Sequence, residues 1–478
     1  MQRLIHEASV RLAHHRSLGA LALLVGAACG QSGDRSAADT GAGSAGGAGA
    51  TGAQAAEVRC DDDNGGLTLP DGFCASVFAD NVGGARHVAV AENGDVFVAL
   101  QTAPAKTEQG AAPKGGILAL RDADHDGKAE VREAFGDLGG TGVGLHGGYL
   151  YADAKTAIVR YQLPAGSLKP SSGPDTIVSG LPTKGHEARN FVIGQDGSLY
   201  VNFGSMTNSC QQKDRQLQSR GVDPCVELEK RAGIWRFDAN RKGQTPTVDQ
   251  RYATGIRNAV GLTINPADQA LYATQHGRDQ LLQNWPKLYD AKKSAEQPQE
   301  QLMRVAQGDD YGWPYCYFDG DLNRLVLAPE YGGNAQEAGR CAEKKVPLAH
   351  FPGHWAPNAL AFYNGTQFPQ RYRNGAFIAF HGSWNRAPLP QAGYNVTFQP
   401  MNNGQPSGQH ELFAQGFPGD TAAPGKAKYR PSGLAVTPDG ALLITDDQRG
   451  RIWRVVYRGA GRAASAGPAA SAGRVASR

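Results

Sequence analysis

No two cysteines in this chain are spaced as CxxC, and no CxxCH occurs. Neither a short-spaced zinc site nor a covalent haem is therefore expected. Charge of one sign is not in excess, because 48 Lys and Arg face 45 Asp and Glu. A nucleic-acid partner held by bulk charge is excluded on that balance. Long hydrophobic runs are missing as well. The apolar stretch LGALALLVGAAC (18–29) is too short to span a bilayer as a mature helix. The helices that a long parallel α/β fold needs are also lacking. Glycine (63) and proline (27) are plentiful, in turns as well as in the tails, which favours many short strands.

Arg3, Arg11 and Arg16 precede the apolar stretch, and small residues close it directly before Cys29. Residues 1–28 therefore read as a lipoprotein-like export signal with Cys29 as the lipidated residue, although Gly26 stands where a larger aliphatic is usual. An ordinary secretory signal is the alternative. Either one exports the chain, to the periplasm or outer membrane. Setting Cys29 aside leaves three local couples, Cys60 with Cys74, Cys210 with Cys225, and Cys316 with Cys341. In an exported chain these read as disulfides. Of the fifteen formal pairings the local one is expected. Residues 29–57 are a Gly/Ala/Ser tether and 458–478 a tail of the same kind, so the fold is expected over 58–457.

Within it one pattern returns: turn residues, often Asp-Gly or Asn-Gly, then an apolar strand. It occurs as ENGDVFVAL (92–100), HGGYLYAD (146–153), QDGSLYVNF (195–203), ADQALYATQ (267–275), RNGAFIAF (373–380) and PDGALLITDD (438–447). A second strand follows most of them, such as GGILAL or AGIWRF. Asp-Gly and Asn-Gly between strands are hairpin signals. Six copies predict an all-β fold, a six-bladed β-propeller with loop insertions; an array of sandwiches is the alternative. The strand near Phe73 is placed beside GRIWRVVY to close the ring. Insertions around 205–230 and 280–350 are expected on a rim, each stapled by a cysteine pair.

The chemistry gathers around Tyr252–Asp279. Its strand–turn–strand core repeats elsewhere, whereas Arg257-Asn258 before it and His276-Gly277-Arg278-Asp279 after it do not. Unrepeated polar residues at the ends of repeated strands mark a site grafted on a scaffold. His186, His354 (GHWAP), Arg386 (HGSWNR), and Lys428 with Arg430 (KYRPSG) also stand beside strand starts. If equivalent blade positions face one rim, these groups converge on one mouth of the channel. Their aromatic and glycine neighbours suit pocket walls.

The series GHEARNFVIGQDGSLYVNFG, ATGIRNAVGL, HGRD, YGWPYCY, GHWAPNALAFY, FHGSWNRAP and YRPSGLAVTPDGALLITDD resembles the pyrroloquinoline-quinone-dependent sugar dehydrogenases, in particular the sorbosone dehydrogenase-like branch of the glucose/sorbosone dehydrogenase family. The resemblance implies a six-bladed propeller enzyme that oxidises an aldose or sugar aldehyde. Pyrroloquinoline quinone and Ca²⁺ would be its cofactors. His186 would be the general base, a task that suits an imidazole titrating near neutrality. Arg257 and Asn258 would stand at the reactive quinone carbonyl, where a cation stabilises developing charge. The carbonyls of Gly277 and Arg278 would hold the active-site Ca²⁺. Lys428 and Arg430 would hold the cofactor's carboxylates, with His354 and Arg386 near it.

The chain also departs from that pattern. Gly185 stands where the soluble glucose dehydrogenases carry an acidic residue that contacts substrate, which argues against glucose. EQLM (300–303) replaces an Asp-Glu-type stretch and argues against a second, structural Ca²⁺ there. Independently of the resemblance, Asp122, Asp124, Asp126, Gly127 and Glu133 fit the DxDxDGx₅E spacing of a calcium loop, though between strands rather than helices. Without CxxCH, electrons must leave to a separate carrier, a cytochrome or a quinone, and membrane contact is expected only through a lipid on Cys29. A calcium-dependent lactonase-type propeller is the competing enzyme reading, but the mouth candidates include no clear acidic cluster. A non-catalytic surface-binding propeller is the other alternative.

Overall fold

The six turn-plus-strand repeats become the second strands of six four-stranded antiparallel sheets. The computed structural model describes residues 58–101 and 115–459. The export signal, Cys29, the tether and all of the tail after 459 lie outside the described residues. Blade 1 comprises Ala85–Val90, Val96–Leu100, Ile117–Arg121 and Val131–Phe135. Blade 2 comprises Val143–His146, Tyr149–Asp153, Ala157–Gln162 and Asp175–Ser179. Blade 3 comprises Phe191–Ile193, Ser198–Phe203, Gly233–Asp238 and Arg251–Thr254. Blade 4 comprises Leu262–Ile264, Leu271–Gln275, Glu300–Val305 and Ala349–Phe351. Blade 5 comprises Pro357–Phe362, Ala376–Phe380, Asn395–Gln399 and Glu411–Ala414.

Blade 6 joins the two ends of the fold. Its inner three strands are Pro431–Val436, Leu442–Asp446 and Ile452–Tyr457, and Phe73–Ala79 adds the outermost, with Phe73 opposite Tyr457. The ring is thus fastened by a strand from the other end of the sequence. Only two α-helices, the short Leu281–Asn284 and Ala291–Glu296, occur among the described residues.

Side chains from facing sheets fill the wedges between blades. Between blades 5 and 6 the filling is aromatic: Phe73, Phe368, Tyr372, Phe377, Phe398, Phe413 and Trp453 are all buried. Each such side chain contributes about 1.5–3 kcal/mol through burial, and none of it is available to a lone blade. Buried hydroxyls link neighbouring blades, as where Tyr151 donates to the Ala239 carbonyl at 3.0 Å.

The topology also aims the site. First strands of the blades start at one mouth of the channel, and second strands end there. Arg86, His186, Asn258 and Arg430 precede or open first strands, whereas His276, His381 and Asp446 close or follow second strands. One rim therefore receives polar residues from both kinds of strand end.

The cysteines pair in their local couples, Cys60–Cys74, Cys210–Cys225 and Cys316–Cys341. The second couple closes a separation of 15 residues in the insertion that carries Asn208. Replacing Cys210 and Cys225 together by alanine should lower stability by about 3 kcal/mol, read as an earlier urea midpoint. An unchanged midpoint would show that the insertion needs no staple.

Candidate active site

His186 stands in a pocket that two glycines make room for. A Cβ on Gly204 would lie 2.6 Å from the Cβ of His186, and one on Gly185 only 2.5 Å from the Cα of Met206. Gly185 also has φ of +73°, a conformation that side chains disfavour. The Nδ1 of His186 lies 2.9 Å from the Ser205 carbonyl oxygen and 3.0 Å from its Oγ. A carbonyl can only accept, so Nδ1 carries the proton and Nε2 presents its lone pair. Burial, then the neighbouring Arg257 cation, push the imidazole down to about 3. This corrects the expectation of a group titrating near neutrality.

Arg257 is 3% exposed and held on nearly all sides. Its Nε donates to the Asn208 carbonyl (3.1 Å), Nη1 to the Gly277 carbonyl (2.8 Å), and Nη2 to Asn208 Oδ1 (3.1 Å) and Asp279 Oδ2 (3.0 Å). One N–H of Nη1 is left over. Asp279 also pairs with Arg215 at 2.9 Å and accepts from Asn385 Nδ2 at 2.7 Å. Burial raises its carboxyl, but Arg257, His354 and Arg215 more than offset this and hold it well below the usual range. Asn258 accepts from Asn202 through Oδ1 at 3.2 Å.

The Gly277–Asp279 turn is pinned from beneath. Glu300 accepts from the Gly277 N–H at 2.8 Å and the Ala356 N–H at 3.1 Å. Burial pushes this carboxyl up to about 8. The Arg278 side chain points away from the channel candidates, into a buried ion pair with Glu330. Its carbonyl accepts no hydrogen bond among the described residues, while that of Gly277 retains one lone pair beside Arg257.

A second cluster joins blades 5, 6 and 1. Asp447 accepts from His381 Nε2 at 2.8 Å and Arg86 Nη1 at 2.5 Å. Arg430 donates through Nε to the His381 carbonyl (3.1 Å) and through Nη2 to the Gly382 carbonyl (2.5 Å). Its Nη1 has no hydrogen-bond partner among the described residues. His276 donates through Nε2 to the Pro357 carbonyl at 3.1 Å, and His87 likewise to the Asn358 carbonyl at 2.8 Å. A cavity of about 540 Å³ is lined by Arg86, Gln101, Thr141, Lys155, Glu187 and Arg189 among others, without His186 in its wall.

The structure thus brings together His186, Arg257, Asn258, Gly277 and the Arg278 carbonyl, with Arg430 in the second cluster. Lys428 is exposed, its Nζ 5.4 Å from the ring of Tyr429. His354 and Arg386 are placed differently from the expectation. His354 is buried behind Asp279, its Nε2 on the Ser294 and Gln297 carbonyls, and its Nδ1 3.7 Å from Asp279. The Arg386 guanidinium fastens loops through the Ala295, Gly353 and Pro390 carbonyls. The sequence reading assigned no role to Asn208, Arg215, Asp279, His381, Asp447 or Arg86. Asp279 was visible in HGRD and Asp447 in the doubled Asp of ITDD, whereas Asn208 and Arg215 lie in an insertion without a motif.

At the acidic hairpin the fourth carboxylate differs from the expected one. Oxygens of Asp122, Asp124, Asp126 and Glu130 lie within 4.8 Å of one another. Glu133 is already on the strand Val131–Phe135, opposite Ala119, and pairs with Lys169 at 2.5 Å. The hairpin returns to its sheet three residues too early for a twelve-residue loop.

Fold and site define a six-bladed propeller with one mouth lined by neutral histidines and charge-paired carboxylates. The TrAA12-like family matches residues 67–458. The chain belongs to that family. An uncharacterized protein of Borreliella burgdorferi is 30% identical over 207 residues, 43% of this chain and 48% of that one, so the chain spans about half the length of this curated relative. Among solved structures, the holo pyranose dehydrogenase PQQ domain of Coprinopsis cinerea is similar at a TM-score of 0.65 and 18% identity, covering 84% of this chain and 98% of that one. The calcium structure of a Trichoderma reesei family AA12 carbohydrate-active enzyme is similar at 0.65 and 18%, covering 84% and 99%. The apo soluble aldose sugar dehydrogenase of Escherichia coli gives 0.53 and 16%, covering 81% and 100%. At these identities the solved structures speak for the fold.

Two outcomes test the site. Asp279→Asn leaves the buried Arg257 without its counter-charge and should cost about 3–5 kcal/mol, seen as a lower urea midpoint. The second concerns pH. The folded His186 stays neutral while the unfolded chain gains a proton below about 6.5, so its contribution is lost as pH falls toward about 3. His186→Asn should therefore gain on the wild type as pH falls from 6 to 4, by up to about 1.4 kcal/mol per unit. A pH-independent difference between the two proteins would contradict the buried neutral imidazole.

Proposed function

We propose that this chain is a quinoprotein dehydrogenase that oxidises an aldose or a sugar aldehyde such as sorbosone. Pyrroloquinoline quinone and Ca²⁺ would be its cofactors, and a separate cytochrome or quinone would take the electrons. The observation that carries this reading is His186, a neutral imidazole with Nδ1 committed to Ser205 and its Nε2 lone pair free, beside a buried guanidinium. Family membership and the printed names of its structural neighbours, a PQQ domain and sugar dehydrogenases, support it.

The residues present suit these cofactors. Arg430 Nη1, the remaining Arg257 N–H, the Asn258 amide and the exposed Lys428 offer cationic or neutral donors to a flat polyanion. For a cation, the Arg278 carbonyl, one lone pair of Gly277 and the buried, partnerless Asn385 Oδ1 are acceptors in place. When bound, the quinone supplies a two-electron acceptor for the hydride that leaves the sugar carbon. His186 Nε2 takes the proton from the hydroxyl on that carbon, so C–H and O–H bonds break and a C=O bond forms. Arg257, locked by Asn208 and Asp279, offers its remaining N–H where negative charge develops. Because Arg257 helps to depress His186, an anionic guest that answers this charge strengthens the base.

A lactonase-type hydrolase would need carboxylates free to hold its metal. Asp279 and Asp447 enter the mouth, contrary to the sequence expectation, but both are already matched to arginines. At the acidic hairpin we infer a second Ca²⁺ on Asp122, Asp124, Asp126 and Glu130, because Asp122 Oδ1 is buried there without a hydrogen-bond partner. Export and lipidation at Cys29 remain part of the proposal, supported by the three disulfides.

Apo-protein given pyrroloquinoline quinone and Ca²⁺ should reduce a dye when sugar is added. His186→Ala should bind cofactor normally yet lose 10²–10⁴-fold in turnover. Wild-type activity should persist well below pH 6.5, since the imidazole stays unprotonated. No sugar-dependent reduction across an aldose and sugar-aldehyde panel would sink the enzyme reading, and near-normal turnover in the variant would move the base elsewhere.

A further inference from the structure

Among the described residues one tryptophan is exposed. Trp384 keeps 56% of its surface, while no phenylalanine and no other tryptophan is in the exposed class. Its indole makes no hydrogen bond, ring contact or cation–π contact among the described residues. A single exposed apolar residue is ordinary, but tryptophan, with its large flat ring and one polar N–H, is enriched at binding surfaces.

Its place in the chain says what it faces. His381 and Gly382 are tied to the second cluster, through Asp447 and Arg430. Three residues on, Asn385 donates to Asp279 of the first cluster, and Ser383 Oγ donates to the His354 carbonyl at 2.9 Å. Residues 381–385 therefore run from one polar cluster to the other across the mouth, and Trp384 is the link without a partner. Hydrogen bonds on both sides hold its backbone while its ring stays open. On the base's side Gly185 contributes no side chain, and Met206 beside it is 43% exposed. The segment that joins the two clusters thus carries one large flat apolar side chain.

We propose that Trp384 is the substrate platform, on which the C–H face of a pyranose ring stacks while a ring hydroxyl reaches His186. A sugar ring pairs an apolar face with a polar edge, and an aromatic beside hydrogen-bonding groups matches both. This rests on the sugar-oxidising reading above and deepens it by assigning recognition of a ring to one residue.

The test uses the full chain reconstituted with pyrroloquinoline quinone and Ca²⁺, and whichever of D-glucose, D-galactose and D-xylose the wild type oxidises. Trp384→Ala should raise KM about tenfold with kcat little changed, and Trp384→Phe should restore most of the loss. A structural role would lower Tm and give no such split. Independently, the same sugars added to apo-protein should quench tryptophan fluorescence in the wild type and not in Trp384→Phe. A KM unchanged in Trp384→Ala, a loss of cofactor affinity, or a defect that follows the electron acceptor rather than the sugar overturns the proposal. If the wild type oxidises no sugar, the reaction is wrong. The quenching arm then decides the platform alone, and absent or variant-insensitive quenching overturns it.

Discussion

The mouth of this propeller depends on one buried ion pair, Arg257 with Asp279. Neither group could be buried alone, since an unpaired charge in so dry a place costs several kcal/mol. Together they draw in everything near them. Asn208 answers the guanidinium with both its carbonyls and the Asp279 N–H with its side chain, which fastens the first rim insertion over the blade 3–4 junction. Arg215, from the same insertion, and Asn385, from a loop of blade 5, complete the carboxylate. The pair thus organises loops from three blades, and its cation adds to the burial that keeps His186 neutral.

Neutral histidines around guanidinium groups are a consistent design. His186, His276 and His87 are each pushed down, to about 3, 3 and 4, by burial first. In each, one ring nitrogen is committed to a carbonyl, so the other is left as an acceptor. The carboxylates follow a matching division. Asp447 is held ionised by His381, Arg86 and Arg430 against its burial, whereas its neighbour Asp446 is pushed up to about 7 by burial and by Asp447. Adjacent carboxyls driven apart in this way give one fixed charge and one carboxyl that keeps its proton to higher pH.

How much of this was legible in the sequence follows from range. The second strands were readable because each carries its own Asp-Gly or Asn-Gly turn, a local signal. First strands as short as Phe191–Ile193 and Leu262–Ile264 have no such period and exist through their neighbours. His186, Arg257, Asn258 and Gly277 could be named because they flank strands that could be named. Arg86 meets Asp447 across a separation of 361 residues, a contact made by closing the ring, and no local pattern encodes it. The choice between Glu130 and Glu133 turned on where a hairpin re-enters its sheet, which spacing alone does not report. His354 and Arg386 sit beside the right strands yet serve the loops behind the site, since adjacency to a strand end does not say which way a side chain turns.

This last point explains how the fold can be shared with neighbours at 16–18% identity while the chemistry at its mouth is free to change. The blades are held by interblade apolar wedges and by the Phe73–Ala79 closure, none of which involves the rim residues. The rim is assembled from strand ends and from two stapled insertions, and its polar groups bond chiefly to one another or to loop carbonyls. A change at the rim is therefore resisted by the rim alone. Gly185 shows what that permits. With a positive φ and the Met206 backbone against it, the position cannot carry the acidic side chain of the soluble glucose dehydrogenases, so under the proposed function substrate contacts come from other loops. The segment 381–385, tethered at both ends and open in the middle, is a loop that can supply them without disturbing a blade.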